Sequence, residues 1–389
     1  MLIYGKRMKL PPYVHNTLRV LIMKEWQAAL QKLLILFLMI VTWPKTVVAA
    51  PPALTCEAAV LMDEQTGQVY LAKNPSWQMH PASLTKIMTA VVALEAGDLR
   101  SVATISERAA YTSDGSIIDL HPGERIRLGE LLEAALIMSA NDATVAIAEH
   151  VAGDHDLFVQ WMNLKAKLLG AHRTHFVNTN GYTHPNHYST AYDLALITRY
   201  ALRNPRFAGI VRMREAEITW EGERREVISN TNRLLFSDFQ GINGVKTGTS
   251  AAGQCLIASA SRGDRGLIAV VLNSGARYRD AIALLTYGFE GVKPLVGSEK
   301  GDFYTRVLVR GGERPDVVVV PARTVRLYLP EKQKDSLQKE VRLVSSMEAP
   351  VRAGQKAGEM IFYLGGLELS RVPLVAKYAV DRRPWYKRG

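Results

Sequence analysis

The chain predicts an α/β unit over residues 51–291, followed by a small all-β domain over 292–380. Three observations point there: strand-like apolar runs at both ends of the first region, long apolar helical patterns between them, and a change near Val292 to short alternating runs. The first region opens as a hairpin, Ala58 to Met62 and Gln68 to Ala72, around the turn Asp63-Glu64-Gln65-Thr66-Gly67. Pro81 then precedes a helix from Ser83 to Ala96, where Leu84, Ile87, Met88, Val91, Val92 and Leu94 give a broad apolar surface. A second helical pattern, Leu128 to Met138, is interrupted by Ser139-Ala140-Asn141-Asp142 and resumes from Ala143 to Val151. Helices dominate to about Leu202, with the polar loop Asn178 to Ser189 expected to form a cleft wall. Strands return after Ala216. Gly241 to Ser250 and Cys255 to Ala260 read as a strand, a turn and a strand, and Arg277 to Phe289 closes the unit as a helix.

Beyond Val292, the runs Val307 to Val309, Val317 to Val320, Val325 to Leu329, Val341 to Val344 and Met360 to Tyr363 alternate between Gly, Pro and charged residues. No chemistry-bearing cluster falls among them. The tail, 381–389, is basic, short and broken by Pro384, so at most it touches an anionic surface.

Lys24 and Lys32 precede the apolar run Leu33 to Val41, and Val48-Ala49-Ala50 offers small residues before Pro51. This pattern predicts an N-terminal extension and signal peptide over 1–50, cleaved after Ala50, and therefore an exported, extracytoplasmic protein. The uninterrupted run is well short of the roughly 20 residues a membrane span requires. The formal net charge of +11 is scattered and accompanies no nucleic-acid motif, so anionic membrane or wall polymer is the expected surface partner and nucleic acid is not. Cys56 and Cys255 are expected to behave as small buried side chains. No Cys/His spacing suggests a metal, and no cofactor is expected.

Three short segments carry the chemistry: Ser83-Leu84-Thr85-Lys86, Ser139-Ala140-Asn141 and Lys246-Thr247-Gly248. A serine hydroxyl is a weak nucleophile until a neighbouring base takes its proton. Lys86 is three residues on from Ser83, hence on the same helical face, and it can act as that base if burial and a nearby cation such as Lys246 lower its pKa. At the helix start, Ser83 also has free backbone N–H groups and the positive end of the helix dipole beside it. Each segment alone has a plainer reading: a solvated helix face, an Asn141 helix cap, or a hairpin with an exposed lysine. Together and in this order they form the pattern of a serine acyl-transfer site that needs no histidine.

With these motifs, and with Ser189 to Ala195, Asn232 to Leu235 and Tyr278-Arg279-Asp280, the chain from about Thr55 to about Ala379 resembles the low-molecular-weight penicillin-binding proteins of the D-alanyl-D-alanine carboxypeptidase family. The resemblance implies an antiparallel sheet sandwiched by helices with a helical subdomain, of the β-lactamase/transpeptidase type, plus the C-terminal β domain. It implies Ser83 as the acylated nucleophile, Lys86 as general base, and Ser139 and Asn141 as the proton-relay and positioning pair. Lys246, Thr247 and Gly248 would form the carboxylate-side wall, with Ser83 and Thr249 N–H groups as the oxyanion hole. Arg279 would help hold the substrate's terminal carboxylate. Ala140 stands where relatives often carry glycine, and Asn180 where some carry histidine. The implied substrate is the peptidoglycan stem pentapeptide, with β-lactams as covalent inhibitors. A D,D-endopeptidase acting on cross-links and a non-catalytic β-lactam-sensing or wall-binding module are the alternatives. A class A β-lactamase needs a glutamate between the second and third motifs, and no glutamate lies between Glu149 and Glu215.

Overall fold

The computed structural model describes residues 50–250 and 253–384, so the leader segment up to residue 49 and the last five residues of the basic tail lie outside the described residues. The first strands, β1 (Ala58–Asp63) and β2 (Val69–Lys73), form the expected hairpin. A 3₁₀ turn, Ala82–Thr85, leads into α1 (Lys86–Ala96). The helical region holds the small ribbon β3 (Val102–Thr104) and β4 (Arg125–Arg127) with helices α2 (Glu107–Ala110), α3 (Leu128–Glu133), α4 (Asn141–Ala152), α5 (His155–Leu168), α6 (Ala191–Leu202) and α7 (Pro205–Val211). A second ribbon, β5 (Glu215–Thr219) and β6 (Arg225–Ser229), precedes the long strands β7 (Ile242–Ser250), β8 (Gly253–Arg262) and β9 (Arg265–Ser274), and α8 (Arg277–Thr286) follows.

The central sheet runs β2-β1-β9-β8-β7, antiparallel throughout. Its sequence signature is a continuous apolar run, because a strand covered on both faces buries every side chain. In β1, Ala58, Val60 and Met62 enter the core shared with α1, α4 and α6. Ala59 and Leu61 enter the opposite core, with Ala281, Leu284 and Leu285 of α8. Ile268, Val270 and Leu272 of β9 divide from Leu267, Ala269 and Val271 in the same way. The sheet is therefore sandwiched between helical layers, as expected. Among the described residues one edge, β7, has no strand beyond it in this sheet, and it faces the turn that carries Ser83.

A single π-helical turn, Tyr287–Gly291, joins α8 to the β domain. There β10 (Lys293–Ser298) pairs with β13 (Val325–Leu329). The remaining strands, β11 (Thr305–Arg310), β12 (Asp316–Pro321), β14 (Leu337–Leu343), β15 (Ser346–Glu348), β16 (Lys356–Leu364) and β17 (Leu367–Ala376), form one sheet in the order β14-β16-β17-β12-β11-β15. Valines 307, 309, 317 and 319 and Phe362 fill its own core. Gln333 bridges to the first domain, donating to the Val69 carbonyl (3.2 Å) and accepting from Gln68 (3.1 Å). Cys56 and Cys255 are free and buried on opposite faces of the central sheet. Among the described residues no helix is long and apolar enough to cross a membrane, and no group of His, Cys, Asp and Glu is placed to hold a metal.

Candidate active site

The turn that carries Ser83 is set by its backbone. Ala82 has φ of 50°, a left-handed conformation that L-residues avoid at a cost of roughly 1–3 kcal/mol. This kink turns the chain after Pro81 so that Ser83 opens into a cleft while Leu84 and Thr85 point inward. Thr85 fastens the turn, its hydroxyl donating to the Ala82 carbonyl (2.8 Å) and meeting His187 Nε2 (2.8 Å). Burial and the neighbouring histidines hold His187 down to about 3, so it is neutral here. Gly181, at φ 87°, passes so close that a Cβ there would overlap the Ala82 carbonyl.

Lys86 opens α1 and is fully buried. Its Nζ meets Ser83 Oγ at 3.1 Å, Asn141 Oδ1 at 2.6 Å and the Asn180 carbonyl at 2.9 Å. Burial first, and the nearby Lys246 charge second, push its pKa well below that of an ordinary amine, against a smaller opposing pull from Asp142. A neutral amine carries two hydrogens and one lone pair. Two of the three partners are carbonyl oxygens that can only accept, so they take the two hydrogens. The lone pair is left for Ser83, the one partner with a hydrogen to give. In its neutral form, Lys86 would therefore present its lone pair to that hydroxyl.

The expected helix Leu128 to Met138 is α3 followed by a π-helical turn, Ala134–Met138. Ser139 ends it in a left-handed conformation (φ 74°), and α4 begins at Asn141. This break aims both polar side chains into the cleft, whereas an unbroken helix would wind them past it. Asn141 Nδ2 donates to the Asp114 carbonyl, and its backbone N–H donates to the Ser116 carbonyl (2.7 Å). Asp142, buried behind, accepts from the backbone N–H groups of Ile118, Leu120 and Ala143. The loop 114–120 is thereby tied to the start of α4.

Strand β7 forms the facing wall. A Cβ on Gly248 would stand 3.1 Å from the Pro81 carbonyl and 3.3 Å from the Ser83 nitrogen, so glycine lets the strand lie against the Ser83 turn. Lys246 is buried at the back, its Nζ donating to the Thr247 carbonyl (3.1 Å), and burial together with Arg277 lowers it to about 7. Thr247 Oγ1 meets Thr231 Oγ1 at 2.6 Å. The resulting cleft of about 480 Å³ brings together Ser83, Ser139, Asn141, Thr247, Gly248 and Thr249, with Asn180 to Thr183 on the wall expected of that loop.

Arg279 is not there. It is exposed on α8, and the arginine in the cleft is Arg277, whose Nη1 donates to the Gly248 carbonyl and to Thr249 Oγ1, both at 2.9 Å. On a helix with 3.6 residues per turn, positions two apart point about 200° apart, so only one of the pair can face the cleft. Sequence reasoning also missed Thr231 and the backbone role of Asn180. Arg277 had a readable signal, its place directly after the last sheet strand; Thr231 and the Asn180 carbonyl had none, because backbone placement alone recruits them.

The sequence matches the model of a family described as D-alanyl-D-alanine carboxypeptidase over residues 45–276, and that of the penicillin-binding protein 5 C-terminal domain over 292–382. It is 33% identical to the D-alanyl-D-alanine carboxypeptidase DacF of Bacillus subtilis, over 82% of this chain and 85% of that protein. It is 32% identical to DacC of Escherichia coli, over 87% of each. Among solved structures, penicillin binding protein 5 of Haemophilus influenzae superposes with a TM-score of 0.66 at 28% identity, covering 86% of this chain and 100% of that one.

Proposed function

The chain belongs to the D-alanyl-D-alanine carboxypeptidase family of serine peptidases, and from that premise we propose that Ser83 cleaves the terminal D-Ala from peptidoglycan stem pentapeptides. The observation that carries the proposal is the Lys86 amine, whose two carbonyl partners leave its lone pair for Ser83 Oγ.

Ser83 Oγ attacks the carbonyl between the two D-alanines as Lys86 takes its proton. The developing oxyanion is met by the backbone N–H groups of Ser83 and Thr249. Ser139 gives its hydroxyl proton to the leaving amine and takes in exchange the proton held by Lys86, the C–N bond breaks, and free D-Ala departs from an acyl-Ser83 ester. Water then adds to that ester, its hydroxyl remaining on the released peptide and its proton returning to Ser83. The departing residue ends in a carboxylate, and Lys246, Thr247 and Arg277 supply charge and donors on its side of the cleft. The substrate backbone lies along the open edge of β7 as an added strand. β-Lactams acylate the same serine.

The enzyme works outside the cytoplasm, in contact with the wall, after export directed by the leader segment. A module that only bound wall polymer would not need a base held at three points beside its serine, and turnover of a stem peptide separates the enzyme from a β-lactam sensor. Release of D-Ala from a stem pentapeptide, measured for wild type and Ser83→Ala, tests the proposal. The wild type releases it and the variant does not; equal release by both would refute the assignment.

A further inference from the structure

A second cavity, of about 470 Å³, lies between the two domains. On the sheet side it is lined by the β1–β2 hairpin, the β8–β9 turn and Arg199 of α6, and on the other side by β13, the segment just before it and β17. It is at the far end of the sheet from the cleft. Thr247 pairs with Leu256, and β8 runs on from there to Arg262, roughly 20 Å at about 3.3 Å per residue, before the turn that holds Asp264.

The lining includes five arginines and three carboxylates. Asp63 is already taken up by the backbone N–H groups of Gln65 and Thr66 and the hydroxyls of Thr66 and Tyr70, Glu368 is paired with Arg371, and Asp264 is exposed on the β8–β9 turn with no ion pair among the described residues. Among the described residues, Arg199, Arg265, Arg323 and Arg326 make no ion pair. Arg199 donates to the carbonyls of Glu64 and Gln65, and Arg323 to Ser370 and the Arg371 carbonyl. Arg265 is the unusual one. It is 7% exposed, and its Nε and Nη2 have no hydrogen-bond partner among the described residues. Its guanidinium lies 4.1 Å from the Tyr328 ring and 5.2 Å from that of Tyr70. Aromatic faces offset part of the cost of a buried cation, but they leave the Nε and Nη2 donors unused.

We propose that this interdomain cavity binds a phosphate-bearing ligand, with Arg265 at its base and Arg323 and Arg326 at its mouth. A carboxylate brings one charge and two oxygens. A phosphate brings up to two charges and three or more acceptor oxygens, which matches several guanidinium forks lacking anionic partners. The volume is that of a small organic ligand rather than a lone ion.

Calorimetric titration of the full chain with inorganic pyrophosphate, against sodium chloride at equal ionic strength, tests this. Wild type binds pyrophosphate saturably, and Arg323→Gln/Arg326→Gln weakens binding at least tenfold while the rate of penicillin labelling at Ser83 is unchanged. Arg265→Gln, checked for fold by the same labelling, abolishes binding. Absence of saturable heat in wild type, or equal affinity in the Arg323/Arg326 variant, overturns the site. Sedimentation with phosphatidylglycerol vesicles separates the sources: retention that pyrophosphate displaces assigns the phosphate to a lipid headgroup, and no retention with pyrophosphate binding intact assigns it to a soluble phosphate. Either result upholds the site.

Discussion

Lys86 has two carbonyl neighbours and one hydroxyl neighbour, and on the proposed mechanism this asymmetry directs the Ser83 proton to the amine. Replacing it with methionine keeps the bulk and removes the base, so acylation by penicillin should fall at least a thousandfold, read as the rate of adduct formation. The motif spacing showed that Ser83 and Lys86 would share a face. It did not show the Asn180 carbonyl that fixes the amine's hydrogens, because a carbonyl has no side-chain signature. Arg277 was missed for a related reason: with two arginines two positions apart, only the phase of the helix decides which enters the cleft. Arg277→Ala should lower kcat/KM for a carboxylate-terminated peptide roughly 10- to 100-fold, the scale of a lost charged hydrogen bond, and Arg279→Ala should leave it unchanged. Lys246 links the site to stability. Its folded pKa is about 7 against 10.5 for an ordinary lysine, so between these values the unfolded chain holds more protons and stability rises with pH. Lys246→Met should flatten that rise in urea unfolding measured at pH 7 and pH 9.5.

Elements place these groups by breaking regularity. The α3 pattern reads as one helix through Met138, and its apolar spacing gave no warning of the π-helical turn that delivers Ser139. The sandwiched strands were legible because apolar residues fill both faces of β1, β8 and β9. Strand β17 was not. Its run Leu367–Ala376 contains Ser370, Arg371 and Pro373, and it becomes a strand only by pairing with β16 and β12. Gly181 tests the fit between the 178–189 loop and the nucleophile turn. Alanine there would combine a strained φ with overlap on the Ala82 carbonyl, so Gly181→Ala should slow penicillin acylation more than tenfold and lower stability by about 1–3 kcal/mol, checked by labelling rate and urea midpoint.

Across the whole molecule, the nucleophile, the split helix and the β7 edge come from segments far apart in sequence, and one sheet brings them to one cleft. On the proposed mechanism that cleft should form an ester faster than it hydrolyses a bulky one. Among the described residues that line it the only carboxylate is Asp114, and no glutamate is placed there to hold a deacylating water. A penicilloyl adduct should therefore persist. The most direct measurement of the central claim is mass spectrometry of the penicillin-treated protein, followed by a tryptic map. The account predicts one added penicillin, stable for many minutes, on the peptide Asn74 to Lys86 and absent from Ser83→Ala. An adduct on any other peptide, or labelling that survives in Ser83→Ala, would contradict it.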